Sequence, residues 1–365
     1  MIKYVFALLL LLHGLIHLMG FAKAFQVAEI SQLTQPITKP TGALWGLSAL
    51  LFTLASVLFI LKKDSWWMWA IPAVILSQIL VFSTWQDAKF GTIANVIVLV
   101  GAIIGFGTTS FYSLFENEVK SGLQQTASLP ETILTEADLE LLPAPVRKYI
   151  RYAGAVGKPK VVNFNIEFEG KIRKNEQSAW MPFTSEQYNF MDVPTRLFFM
   201  KATMKHLPVA GFHCFKNGKA FMDIRLLSLL KVQYKAGGEM DVSETVTFFN
   251  DMCCFAPSTL VDPRVKWLET DGNKVKASFT SNGNSITAWL YFNDEGQLVN
   301  FISQDRYAAG ENGTMERLPW STPLQDYKDI NGHRVPGYAD AVYSYPEGEL
   351  VYGTFATRNV AYNCP

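Results

Sequence analysis

The chain has 365 residues, 49% hydrophobic and only 18% charged, and its 32 basic and 32 acidic side chains cancel. Neutrality excludes a nucleic-acid binder, which needs a basic stripe to displace counterions. The 26 Phe, 14 Tyr and 9 Trp exclude disorder, and four cysteines in this length exclude a disulfide scaffold.

The shortage of charge is uneven. Residues 1–115 hold six lysines, no arginine, three acids and five of the nine tryptophans. The remaining 250 residues hold 26 basic and 29 acidic side chains, an ordinary soluble balance. Three parts are expected: a four-helix transmembrane domain over 1–115, a polar linker over 116–130, and a soluble domain over 131–365.

A lipid-spanning helix needs about 20 mostly apolar residues. Four stretches qualify: Tyr4 to Phe21, Ala43 to Leu61, Trp66 to Thr84 and Thr92 to Tyr112. Trp66, Trp67 and Trp69 at one end of the third, with Trp85 at the other, form an interfacial aromatic belt. The first run is too long for a signal peptide and reads as an uncleaved helix. The expected setting is an integral membrane protein of a bacterial cytoplasmic membrane. Lys3, Lys62, Lys63 and Lys120 fall on one side, and Lys23, Lys39 and Lys89 on the other, a narrow lean towards a cytoplasmic soluble domain.

His13 and His17 lie four apart, on one face of the first helix. Polar groups in a bilayer are costly and often functional. Two readings stand: a metal, haem or proton-relay pair, or two imidazoles hydrogen-bonded to neighbours such as Gln78 or Asn95. No other histidine or cysteine lies in the first 115 residues to complete a metal site, so neither metal nor cofactor is expected. Asp87 and Lys89 are placed to pair across the polar turn that follows Trp85.

Beyond the linker, Thr135 with Asp138 makes a capping signal. Leu139, Leu142, Val146, Tyr149 and Ile150 form one apolar face, which Pro143 and Pro145 break into two short helices. After Lys158 the period changes from 3.6 to 2. Val162 to Glu169 alternates apolar with polar, and nine similar runs follow to Tyr362, separated by turn signals such as Asn217-Gly218 and Asn331-Gly332. Ten short strands predict an antiparallel sheet, curved or rolled into a half-barrel, with a helical cap. The interruption near 226–262 reads as an apolar loop or short helix at Leu226 to Leu230, then a helix from Asp241 or Ser243 that Pro257 stops. Such an insertion is either an apolar lid over a pocket or a plug for an open barrel end.

No hydrolase, metalloprotease or nucleotide-binding motif is present, so no catalytic residue is assigned. His206, His213 and His333 lie in separate segments and read as surface or turn residues. The four cysteines read as small buried hydrophobes. In a strand, Glu186 shares a face with Tyr188 and Thr184, and its carboxylate is a candidate partner for Arg306.

Several segments resemble a bacterial membrane-anchored family of unknown function. They are His13-Gly-Leu-Ile-His-Leu-Met-Gly-Phe21, Asp87 to Asn95, Val146 to Gly154, Trp180-Met-Pro-Phe-Thr-Ser-Glu-Gln-Tyr188, Arg306-Tyr307, and Leu318-Pro-Trp320 followed by Asp326-Tyr327. The resemblance implies no activity. The chain departs from the pattern at Asn250 to Pro257, where an acidic residue and a Trp would be expected and Asn250, Cys253 and Cys254 stand. The rolled sheet also loosely resembles the half-barrels that chaperone bacterial lipoproteins.

The expected architecture is therefore a four-helix membrane bundle followed by an α+β domain built on a curved antiparallel sheet. The expected function is a membrane-anchored binding module for a lipid or lipoprotein-like amphiphile. Trp180, Phe183, Glu186, Tyr188, Phe199, Trp289, Arg306, Tyr307 and Trp320 are the candidate ligand-binding residues. The alternatives are an enzyme acting on a lipid-like substrate through Glu186, Arg306 and Tyr307, or a structural or partner-binding membrane protein. The expected partners are the bilayer and that amphiphile, and no nucleic acid.

Overall fold

The computed structural model describes residues 2–205, 207–309 and 314–365, so His206 lies outside the described residues. The chain divides into two compact units, Met1–Tyr112 and Ser113–Pro365.

The first unit contains α1 (Ile2–Ala24), α2 (Lys39–Ile60), α3 (Trp66–Ser83), a single turn α4 (Trp85–Ala88) and the start of α5 (Gly91–Thr126). Four of these helices are long and apolar enough to cross a membrane. Their polarity is inverted relative to a water-soluble bundle. Leu8, Ile16, Leu50, Phe82 and Val96 face outwards, while His13, His17, Ser48, Ser56, Ser77 and Asn95 are buried. Small residues let the helices approach, as expected where packing rather than water drives association. A Cβ on Gly20 would stand 2.3 Å from the Trp45 ring. Asp87 does not turn to Lys89. It accepts from the Thr34 amide at 2.6 Å, the Thr34 hydroxyl at 2.8 Å and the Gln35 amide at 3.2 Å, tying down the loop between α1 and α2.

The second unit begins with the end of α5. The sequence reads as a linker from Glu116, yet the helix continues to Thr126. Its reason is a buried row, Phe115, Val119, Gly122 and Thr126, at helical spacing. Phe115 lies among the rings of Tyr188, Phe199 and Phe212, at 6.2, 5.6 and 5.8 Å. Gly122 meets Phe190 so closely that a Cβ would sit 2.4 Å from that ring. The polar letters of the segment are the solvent face of an amphipathic helix.

A 3-10 turn (Ala137–Leu139) and α6 (Ala144–Tyr152) follow, with the Thr135 amide and hydroxyl both donating to Asp138. Then come β1 (Asn163–Ile172), β2 (Met181–Phe190), β3 (Thr195–Met204), β4 (Leu207–Lys216), β5 (Lys219–Leu226) and β6 (Leu230–Ala236). Helix α7 (Gly238–Phe255) interrupts the sheet. β7 (Val265–Asp271), β8 (Lys274–Ser281), β9 (Asn284–Phe292), β10 (Leu298–Ala309) and β11 (Met315–Ser321) resume it. Short β12 (Leu324–Gln325), β13 (Lys328–Ile330) and β14 (His333–Val335) lead to β15 (Tyr338–Tyr345) and β16 (Gly348–Tyr362).

Among the described residues one antiparallel sheet runs β6-β5-β4-β3-β2-β1-β16-β15-β11-β10-β9-β8-β7, with β12 beside β15. It is a curved half-barrel closed over a helix, so the expected α+β fold holds. Asn217-Gly218 and Asn331-Gly332 each take two positive φ angles, the conformation a two-residue hairpin with the twist of its strands requires. Two expectations need local correction. Leu226 to Leu230 is the tip of a β-hairpin joining β5 to β6, so its short apolar turn is a loop and not a helix, and it leads into a further strand. The insertion helix starts at Gly238, three residues before Asp241, and no side chain caps it.

α7 is buried along most of its length. Phe248 and Phe249 stack on Phe279 of β8 at 5.8 and 5.4 Å, and Phe249 meets Phe301 of β10 at 5.8 Å. Carbonyls at its last turn, left without intrahelical donors, accept from tyrosines: Tyr149 donates to Cys253 O at 2.7 Å and Tyr362 to Phe255 O at 2.6 Å.

Candidate functional site

The side of α7 away from Phe249 is polar. Ser243, Glu244, Thr247, Asn250 and Asp251 recur at helical spacing as one stripe, and all five line a cavity of about 340 Å3. The sheet supplies the opposite wall. Phe168, Phe198, Met200, Met222, Ile224 and Phe355 make it apolar, while Gln187, Arg196 and His213 bring polar groups from β2, β3 and β4. The apolar side of α7 fills the sheet over β8 and β10, and its polar side leaves a cavity against β1 to β6, β10, β11, β15 and β16.

Two arginines hold α7 from different strands. Arg196 on β3 donates from Nε to Asp251 at 2.7 Å, from Nη1 to Glu244 at 3.1 Å and from Nη2 to Gln187 Oε1 at 2.9 Å. Gln187 and Asn189 also donate to Asp251, at 2.8 and 3.2 Å. Arg306 on β10 donates from Nε to Tyr343 Oη at 3.0 Å and from Nη1 to Ser243 O at 3.2 Å and to Thr247 Oγ1. Its Nη2 stands 3.9 Å from Glu244, and its guanidinium lies 4.5 Å from the centre of the Trp320 ring. Trp320 donates to Tyr352 Oη at 3.1 Å. Arg306 reaches the concave side because the register of β10 slips between Ser303 and Arg306. That irregularity shifts the in-out alternation by one residue, so Phe301 and Arg306 both face inwards.

The charges settle as their surroundings dictate. Burial alone would raise the Glu244 carboxyl, but Arg196, Arg306 and His213 outweigh it and hold it below the ordinary carboxylate range. At Asp251 burial wins over Arg196 and the amide donors, and the carboxyl is raised. Burial lowers His213 to about 4, with Glu244 opposing and the two arginines reinforcing, so its imidazole is neutral at pH 7. Burial raises the Tyr343 hydroxyl despite Arg306 beside it. Among the described residues, Asn250 Nδ2 and Thr322 Oγ1, both buried at the cavity wall, have no partner within hydrogen-bond geometry.

Of the residues singled out in the sequence, Arg306, Tyr307 and Trp320 line this cavity. The others lie elsewhere. Phe183 is buried in the core against Phe355, with ring centres 5.2 Å apart. Trp180 sits under Arg173 at 4.6 Å and borders an open groove with Lys171, Lys201 and Arg358. Tyr188 and Phe199 face the α5 side of the sheet, as does Glu186, which alternates with the inward-facing Gln187. Trp289 faces outwards beneath Lys274 and Lys276. The expected Glu186–Arg306 pair does not form, because period two puts Glu186 on the opposite face from the cavity, and Glu244 is the carboxylate beside Arg306.

His213, read as a surface residue, lines the cavity. His333 packs against Tyr362, with ring centres 4.3 Å apart. Cys214, Cys253 and Cys254 are free and buried, and Cys364 is free and half-buried. In the first unit His13 Nε2 bonds Asn95 Oδ1 at 2.8 Å, and His17 bonds His13 O at 2.7 Å and Ser77 Oγ at 2.8 Å. Both rings of the pair are thus engaged by neighbouring helices.

The model of a family of unknown function, DUF6544, matches residues 132–355, which span most of the half-barrel and all of α7. The chain belongs to the DUF6544 family. Among curated proteins none matches this DUF6544 member. Solved structures of similar outline include a domain described as an outer membrane lipoprotein-sorting protein from Vibrio parahaemolyticus. It is 10% identical, with a TM-score of 0.33 over 55% of this chain and 85% of that one. A LolA superfamily protein from Nitrosomonas europaea is 8% identical, with a TM-score of 0.33 over 60% and 93%. A DUF1329 family protein from Desulfovibrio piger is 11% identical, with a TM-score of 0.34 over 60% and 92%. At such scores the chains are only loosely alike.

Proposed function

We propose that this DUF6544 member is a membrane-anchored binding module whose half-barrel holds an amphiphilic ligand in the cavity beside α7. The observation that carries the reading is the cavity itself. About 340 Å3 of space lies between an apolar sheet wall and a polar helix stripe, within the size and character of small-molecule sites. An apolar tail suits Phe198, Met200, Ile224 and Phe355. The two orphaned polar atoms, Asn250 Nδ2 and Thr322 Oγ1, suit oxygen-bearing groups of the same molecule, since buried donors and acceptors are rarely left without partners. The four apolar helices with outward-facing Leu, Ile and Phe support the anchor. A binding role fits better than catalysis: Arg196 is bonded to Asp251 and Glu244, Arg306 to Tyr343, Ser243 and Thr247, and His213 is neutral near pH 7.

Native mass spectrometry of the full chain in an uncharged detergent tests this against Ile224→Trp, which fills the cavity and leaves the helices alone. The wild type should release a bound amphiphile that the variant lacks. Identical lipid profiles for the two proteins would remove the proposal.

A further inference from the structure

The arginines inside the cavity are already held by the protein's own groups. Each nitrogen of Arg196 donates to a side chain, and Arg306 is engaged by Tyr343, Ser243, Thr247 and Glu244. Lys235 differs. It stands on β6, the edge strand of the sheet, two residues from Gln233, and both are half-buried in the cavity wall. Among the described residues its ammonium has one hydrogen-bond partner, the thioether of Met315 at 3.2 Å, and no carboxylate. A thioether is a weak acceptor, and an ammonium carries three donors. Arg173, also on the wall, bonds the backbone oxygens of Val351 and Glu176 and likewise has no carboxylate partner. Arg173, Arg196, Lys235 and Arg306 face Glu244, Asp251 and Asp340 across the lining, an excess of one positive charge if all are ionised. The excess lies where the cations are unpaired.

We infer that the ligand carries an anionic head, a carboxylate or a phosphate, which pairs with Lys235 at the β6 rim while its tail lies against the apolar wall. This rests on the binding role proposed above and adds the charge class of the ligand. Partly buried, such a pair is screened less than a surface one and is strengthened by the charge-assisted hydrogen bond. Gln233 is placed to donate an amide to the same group.

The test titrates the full chain in uncharged detergent with oleate, oleyl phosphate and oleyl alcohol, taking Ile224→Trp as the blank for partition into micelles. Oleate and oleyl phosphate separate the two acid types, and the alcohol carries the same tail without charge. The wild type should bind at least one of the anions about tenfold more tightly than the alcohol, or about 1.4 kcal/mol. Lys235→Met, whose side chain packs against Met315 without a charge, should lose that preference and still bind the alcohol. Lys235→Arg should keep it. Equal affinities for anions and alcohol in the wild type, or an undiminished preference in Lys235→Met, would overturn the inference and leave the binding role standing. If the wild type bound none of the three, the binding role would fall, and the inference with it.

Discussion

His213 shows how one buried side chain can make the site sensitive to acid. In the unfolded chain a histidine titrates near its ordinary value of about 6.5. In the folded protein, burial lowers His213 to about 4. Between these values the unfolded state binds the extra proton, so folding loses stability as pH falls from about 6.5 towards 4. Glu244 works in the same direction at lower pH, because its folded carboxyl is depressed, whereas the raised carboxyl of Asp251 works against it. His333 is lowered to about 4 as well, so the prediction is a difference between proteins. Denaturant unfolding of the β unit, followed in the full chain at pH 7 and pH 4.5, should show a larger acid loss for the wild type than for His213→Gln, by up to about 3 kcal/mol. Equal losses would mean that this imidazole is solvated. The sequence gives no hint of this, because a lone histidine in an alternating strand looks the same on either face.

At the scale of elements, the cavity depends on α7 having two unlike sides. The cost of losing its apolar side is large. Phe249 is fully buried between Phe279 and Phe301, so Phe249→Ala should destabilise the β unit by about 3–5 kcal/mol, measured by denaturant unfolding. A change below about 1 kcal/mol would mean that α7 is not anchored there. Element types were largely legible in the sequence: the four apolar helices, the change from period 3.6 to period 2, and the Tyr149 face that binds the end of α7. The site was legible only in part. Arg306 and Trp320 stood out beside distinctive neighbours, but Arg196, Glu244 and Asp251 did not. Glu244 and Asp251 are seven apart on a helix, a spacing that puts them on one face, and Gln187 and Asn189 are two apart on a strand. Those were usable signals. Glu186 and Tyr188 stand one residue out of parity with Gln187 and Asn189, and in a strand that reverses the face. The bulge that turns Arg306 inwards depends on pairing partners far along the chain, which local periodicity does not encode. The polar stretch after Glu116 looked like a linker because the surface that buries Phe115 and Gly122 is built by β2 to β4, at least 60 residues later.

For the whole molecule, the neutral charge total conceals a helical unit with an apolar exterior, whose basic residues are all lysine, and a β unit of ordinary surface whose charged residues include a buried cluster. Four helices long and apolar enough to cross a membrane, in one chain with a cavity of apolar and polar walls, are the two features on which the proposed amphiphile-binding role rests. The most direct measurement is site-specific photocrosslinking in native membranes, with a photoreactive amino acid in place of Met222 on the cavity wall or Trp289 on the outer side of β9. The account predicts that the probe at 222 captures a lipid or fatty acid, detected as a mass adduct on the peptide that carries it, while the probe at 289 does not. Capture of protein alone at 222, or the same lipid yield at both positions, would contradict it.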